Sequence, residues 1–283
     1  RDLQRFCGRS PLLISDYIGP SLRERLADEG ISYADATGWV RIVSDSPLIL
    51  LTGRGAPRAP GAARSSAVVR MNGLAASRII RALTAVELPM GVRDLADAAG
   101  ASPGSVSKLL TTLGTEGIVD RDSDGKVLKV RRRSLIERWI RDYSFTKTNK
   151  SVLYCIAPRG IHRALDRLEA LGTRVVLTGS AAARRMLPSD TISVVPLRLL
   201  SLYSVNPVKL AEALGMIDSD PVGANVVLAV PQDMRILEGS KEWPALASPA
   251  LVLADLLTLP NRSDAEAEQL LGWLERRDPA WRH

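Results

Sequence analysis

The stretch Gly91–Arg133, GVRDLADAAGASPGSVSKLLTTLGTEGIVDRDSDGKVLKVRRR, constrains the chain most, because its glycines, prolines and serines fall where local structure must start or stop. Gly100 follows the last apolar position of a periodic segment, where a left-handed helix stop costs glycine least. Ser102-Pro103 then supplies an N-cap and a pre-set first helical residue. The pattern predicts a short helix over 92–99, a tight turn, and a longer helix over 103–116. Gly117 ends the second helix, and Asp124-Gly125 is a two-residue hairpin signal joining predicted strands 118–121 and 126–131. Together they are laid out in the order of a winged helix-turn-helix.

Within the second helix Val106, Leu109, Leu110 and Leu113 follow the spacing of one buried stripe, which turns Ser105, Ser107, Lys108, Thr111 and Thr112 outward. A face that enters a major groove needs short hydrogen-bonding side chains and a cation. Those five are the predicted base-edge contacts, and Ser102 at the turn is a predicted DNA-binding residue beside them. Lys126, Lys129 and Arg131 form a predicted basic wing. Residues 68–90 add a preceding helix, with Leu74, Ile79, Ile80 and Leu83 on its apolar side and Arg70, Arg78 and Arg81 outside. A helix pair and hairpin can also sit in a core without touching nucleic acid; the caps, the outward composition and the wing together favour double-stranded DNA.

A chain of 283 residues is long enough for roughly two or three domains. The predicted class is α/β multidomain (α+β): an N-terminal α/β module over 1–56, a Gly/Pro/Ala/Ser-rich linker over 57–67, the winged helix over 68–133 and a C-terminal α/β domain over 134–283. The net charge of +7 is unevenly spread. Residues 70–199 hold 22 Lys and Arg against 12 acids, whereas 200–283 hold 7 against 12. A basic centre and an acidic last third fit a nucleic-acid module carried by a domain with another task. Cys7 and Cys155 lack metal-ligand spacing, so no disulfide framework, metal site or cofactor is expected. The stretch RDLQRFCGRS lacks the long apolar run and cleavage site expected of a signal peptide, and no apolar run reaches the ~18 residues of a membrane span. The expected compartment is the cytoplasm, away from membranes.

In the first module, residues 21–29 are helical in pattern, Gly30 stops them, and 31–35, 39–43 and 48–52 read as strands. After the wing, Leu135, Ile136, Trp139, Ile140 and Tyr143 predict a helix over 135–143, with Trp139 as a packing anchor. Strands are then predicted at 152–156, 174–177, 192–196, 199–203 and 226–230. Helices are predicted at 159–171, 181–186, 207–214, 248–258 and 263–277, an alternation that argues for a sheet covered by helices.

The blocks LISDYIGPSLRERLADEGISYADATGWVRI, the winged helix, LIERWIRDYSFTKTN, TRVVLTGSAAARRM and PALVLADLLTLPNRSDAEAEQLLGWL resemble, in order and over nearly the whole chain, actinobacterial AbiEi-type regulators. The resemblance implies a winged-helix transcriptional regulator, with the antitoxin of a type IV toxin–antitoxin pair as its role and a toxin as its partner. It also implies that the first module is a degenerate PD-(D/E)xK core. Asp35 stands where that core has its first acid, but WVRIV and LILLT supply neither the second carboxylate nor the lysine that metal-assisted cleavage needs.

Gly179-Ser180 after a strand, with Asp190 beyond, has the spacing with which nucleotidyltransferases present a triphosphate, yet Ile192 stands where the second metal-binding acid belongs. The C-terminal domain therefore resembles a degenerate nucleotidyltransferase. With only His162 and His283 available, no Ser–His–Asp set is expected, and no catalytic residue is assigned. The acid-rich 264–277 segment reads as an amphipathic terminal helix that packs on the sheet. The leading expectation is a sequence-specific DNA-binding repressor acting as a homodimer. A protein-interaction module working through the C-terminal domain, and an enzyme built on Asp35 or Gly179-Ser180, are the alternatives from other classes.

Overall fold

The computed structural model describes residues 11–55, 70–172, 174–238, 244–259 and 263–282. The proposed linker 57–67, Cys7 and His283 lie outside them. The fold is α+β, with a helix-turn-helix in its middle, and divides into two compact units, Arg1–Val68 and Val69–His283.

The first unit is a four-stranded sheet of order β1-β2-β3-β4, built from β1 (Leu12–Ser15), β2 (Ser32–Asp35), β3 (Val40–Asp45) and β4 (Leu48–Gly53), with helix α1 (Pro20–Asp28) between β1 and β2. β1, which the sequence pattern did not announce, pairs parallel with β2; the rest is antiparallel. Its small core is Ile18, Leu26 and Tyr33, with Ile31 and Trp39 against it. Asp35 organises the β2–β3 turn: its carboxylate accepts from the Thr37 amide at 2.9 Å, the Thr37 hydroxyl at 2.6 Å, the Trp39 amide at 3.1 Å and the Ile18 amide at 3.0 Å. Although burial works to raise its pKa, these hydrogen bonds hold the carboxyl below its usual range.

The second unit opens with α2 (Leu74–Ala85), α3 (Val92–Ala99), α4 (Pro103–Thr115) and the hairpin β5 (Val119–Arg121) and β6 (Val127–Val130), to which Met90 adds an antiparallel bridge at Val127. Helix α5 (Arg132–Trp139) and the single turn α6 (Phe145–Thr148) lead into a six-stranded mixed sheet of order β10-β7-β11-β9-β8-β12. Its strands are β7 (Ser151–Ile156), β8 (Val175–Thr178), β9 (Leu200–Ser204), β10 (Ile217–Asp218), β11 (Val226–Val230) and β12 (Ala245–Leu246). Helices α7 (Ile161–Leu171), α8 (Gly179–Met186), α9 (Pro207–Leu214), α10 (Pro249–Thr258) and α11 (Asp264–Arg277) accompany it. One apolar core runs from the Ile79, Leu83 and Leu110 side chains of the helix-turn-helix to the Val227 and Leu253 side chains of the sheet layer.

Three expectations change. The hairpin loop has three residues, Ser123–Gly125, because the Gly125 amide donates to the Asp122 carbonyl at 3.1 Å and Gly125 takes the left-handed conformation (φ 82°). This is a type I turn with a bulge rather than a two-residue turn. Residues 192–196 form no strand; Pro188 and Pro196 bracket them, Ile192 is exposed, and the Val195 carbonyl is taken by Arg184 and by the Ser193 hydroxyl. The expected helix over 135–143 starts three residues earlier and ends at Trp139, with Tyr143 in the following turn.

Candidate nucleic-acid interface

The turn between α3 and α4 is fixed from several sides. Gly100 caps α3 with φ 56° while the Ala101 amide reaches back to the Ala96 carbonyl at 2.9 Å, the wrap-around stop that the left-handed residue permits. A side chain at position 100 would also strike the guanidinium of Arg235. Ser102 caps α4, its hydroxyl accepting from the Ser105 amide at 3.2 Å, and Pro103 opens the helix.

Helix α4 then splits into two faces. Val106, Leu109, Leu110 and Leu113 are buried, whereas Ser107, Lys108 and Thr111 are exposed and Ser105 and Thr112 half-buried. The hydroxyls of Thr111, Thr112 and Thr115 donate to the carbonyls of Ser107, Lys108 and Thr111 at 2.9, 3.3 and 3.0 Å. This spends their protons within the helix and leaves their oxygens as acceptors, suited to amino groups on base edges. Lys108 makes no ion pair with a described residue.

The wing is less basic than its sequence suggests. Arg131 holds Asp120 through both guanidinium nitrogens at 2.9 and 3.1 Å and also donates to the Gly117 carbonyl at 2.8 Å. The hydrogen bond from Arg131, with help from Lys129, keeps the Asp120 carboxyl low, and the same bond raises Arg131. Asp122 accepts from the Lys126 amide at 2.8 Å and thereby shapes the tip. Lys126 and Lys129 stay exposed on the hairpin, as does Arg121, which the sequence reading passed over.

Behind the wing, the run Arg131-Arg132-Arg133 is wholly engaged. Arg132 pairs with Asp278, and Arg133 with Glu137 at 3.1 Å and Glu268 at 2.6 Å. Arg78 and Arg81, expected on the outside of α2, are half-buried: Arg78 meets the buried carboxylate of Asp233 at 2.7 Å and the Gly100 carbonyl at 3.2 Å, and Arg81 meets the other carboxylate oxygen. Leu74, expected inside, is exposed. Among the described residues Arg78, Arg81, Arg132, Arg133 and Arg184 of the basic centre are thus paired with acids of the last third, a pairing that sequence periodicity does not signal.

Helix α5 brackets the module. The buried Arg138 reaches Glu116, the C-cap of α4, at 2.9 Å and Asp142 at 3.0 Å, while the Trp139 indole donates to the Met71 carbonyl at 3.0 Å.

At the other suggested sites the side chains are engaged within the fold or stand apart. Gly179 (φ 56°) packs against Leu259 and Ser201, and the Ser180 hydroxyl donates to Glu266 at 2.5 Å, with Arg184 at 3.3 Å from the same acid. Asp190 and His162 are exposed. Among the described residues no group of His, Cys, Asp and Glu could hold a metal ion, and no helix is long and apolar enough to cross a membrane.

No match was found among curated proteins or solved structures. Residues 61–123, which carry α2, α3, α4 and β5, match the IclR helix-turn-helix domain, and this similarity supports a DNA-binding winged helix-turn-helix transcriptional regulator.

Proposed function

We propose that the chain is a sequence-specific transcriptional repressor, not an enzyme, that acts in the cytoplasm as a homodimer and uses residues 68–133 as its DNA-binding domain. Helix α4 lies in the major groove with Ser105, Ser107, Lys108, Thr111 and Thr112 on base edges. Ser102 meets the backbone at the entrance, and Lys126 and Lys129 grip phosphates from the wing. The observation that carries this reading is the two-faced α4: one side anchored in the core, the other bearing small hydroxyls and Lys108, which makes no ion pair with a described residue. Arg131 serves this site by bracing the wing through Asp120. The AbiEi-type resemblance of the flanking blocks supports a further role as the antitoxin of a type IV pair, its toxin met by the C-terminal domain. The hydrogen bonds that engage Asp35 and Ser180 within the fold support a structural part for both.

Base readers and phosphate grips respond differently. Lys108→Ala and Thr111→Ala are expected to cost about 1–3 kcal/mol on the specific site and little on random duplex, whereas Lys126→Ala and Lys129→Ala weaken both alike and flatten the salt slope by about one. All four side chains are exposed, so folding should be unchanged. Anisotropy titrations on selected and scrambled duplexes at two salt concentrations read the difference. Full operator affinity in folded Lys108 and Thr111 variants would place a different element in the groove.

A further inference from the structure

Strand β4, Leu-Ile-Leu-Leu-Thr-Gly, is, among the described residues, an open edge of the first unit's sheet, and its apolar side chains are exposed: Leu48 is 86% exposed, Ile49 42%, Leu50 71% and Leu51 53%. None of them belongs to the small core under α1. A long, neutral, apolar edge strand without proline or a charge in it lacks the devices that keep such edges from pairing.

We propose that β4 pairs antiparallel with β4 of a second copy across a two-fold axis, joining two four-stranded sheets into one of eight strands. This deepens the paired-reader part of the proposed function and rests on it.

The backbone directions and charges fit that occupant. The Val43 amide points to β2, donating to the Ser32 hydroxyl at 3.0 Å, so in β3 the alternate residues Ile42 and Ser44 turn toward β4. Since Ile42 pairs with Leu51 and Ser44 with Ile49, the backbone groups of Leu48, Leu50 and Thr52 point to the open edge. A two-fold axis normal to the sheet at Leu50 sets Leu50 opposite its own copy, Leu48 opposite Thr52 and Ile49 opposite Leu51. Each outward-pointing amide then meets an outward-pointing carbonyl, and both apolar faces gain partners. The same register brings Arg54 of one copy beside the Asp45–Pro47 turn of the other. Arg54 and Asp45 are both exposed and have no ion-pair partner among the described residues, so each end of the joint closes with opposite charges. The symmetry is closed, which a pairing of β4 with the other open edge, β1, would not be.

The experiment measures the mass of the full chain by light scattering over a dilution series, with circular dichroism to confirm folding. The wild type is expected to be a dimer. Leu50→Lys and Leu50→Pro should raise its dissociation constant by at least about tenfold; the proline removes only an edge-facing amide, which leaves the β3 ladder intact. Asp45→Arg and Arg54→Asp should each weaken the dimer, and the double exchange should restore it. A wild type that stays monomeric, variants that dimerise as well as the wild type, or open-ended larger assemblies would each overturn the proposal. Half-site DNA binding is measured on a separate arm: dimer-deficient variants that keep it support the division of labour, while its absence from the wild type sinks the DNA reading and not the strand pairing.

Discussion

Asp233→Ala is expected to destabilise the second unit by about 3–5 kcal/mol, because it removes the one carboxylate on which Arg78 and Arg81 converge and strands two half-buried guanidiniums. Burial works to raise the Asp233 pKa, and Arg78 together with the charge of Arg81 outweighs it, so in the folded state the carboxyl lies below its ordinary value of 3.8. A depressed carboxylate contributes stability that is full above the unfolded pKa and is lost as pH falls through the folded one. The wild type should therefore lose this contribution below about pH 4, and the variant should have none to lose. Asp233 also accepts from the Arg235 amide at 3.3 Å, and Arg235 lies against Gly100, so the change loosens the turn that presents α4. Urea titration gives the energy and hydrogen exchange at 100–105 gives the location. If the variant unfolds at the wild-type midpoint with the turn still protected, the ion pair is not what docks α2 on the sheet domain.

Local rules explain what was legible in the sequence and long separations explain what was not. Gly100, Ser102, Pro103 and Gly117 act on their own neighbours, so α3 spans the expected residues and α4 differs at one end by a single residue. The hairpin was placed correctly and its loop was counted one residue short, because Asp122 joins the turn as an acceptor for the Lys126 amide. By contrast Arg78 meets Asp233 across 155 positions and Arg132 meets Asp278 across 146, distances over which no periodicity reports. The same limit hid the engagement of Arg131, which from its spacing reads as one more cation on the wing and in the fold is bound to Asp120. Strand 192–196 was misread from its β-branched residues; with prolines around it and no neighbouring strand to receive it, propensity had nothing to pair. Strands β10 and β12 have two residues each, too few for alternation to register.

Asp255 governs the largest pH effect. Its carboxylate is fully buried and accepts from the hydroxyls of Tyr143 at 2.6 Å, Tyr203 at 2.8 Å and Thr178, with no cation among its described partners. Burial pushes its pKa up to about 7, against the lowering effect of the three hydroxyls. The stability a raised carboxyl contributes is fully present below the unfolded pKa near 3.8 and is lost as pH rises through the folded value, so the window runs from about pH 4 to about pH 7. At 1.36 kcal/mol per pKa unit the loss is of the order of a few kcal/mol. Asp255→Asn keeps the shape and cannot ionise. Because it has no charge to bury as pH rises, its stability relative to the wild type is expected to increase steadily from about pH 4 up to neutral pH. The Tyr143 and Tyr203 hydroxyls, raised by the same burial, do not titrate in that window. The network ties the turn after α5 to β8, β9 and α10, so its strength sets how firmly the DNA module is joined to the sheet. Urea midpoints of both proteins across pH 4 to 8 test this. A constant difference between them would mean that Asp255 holds one protonation state throughout and that the hydroxyls, not burial, control it.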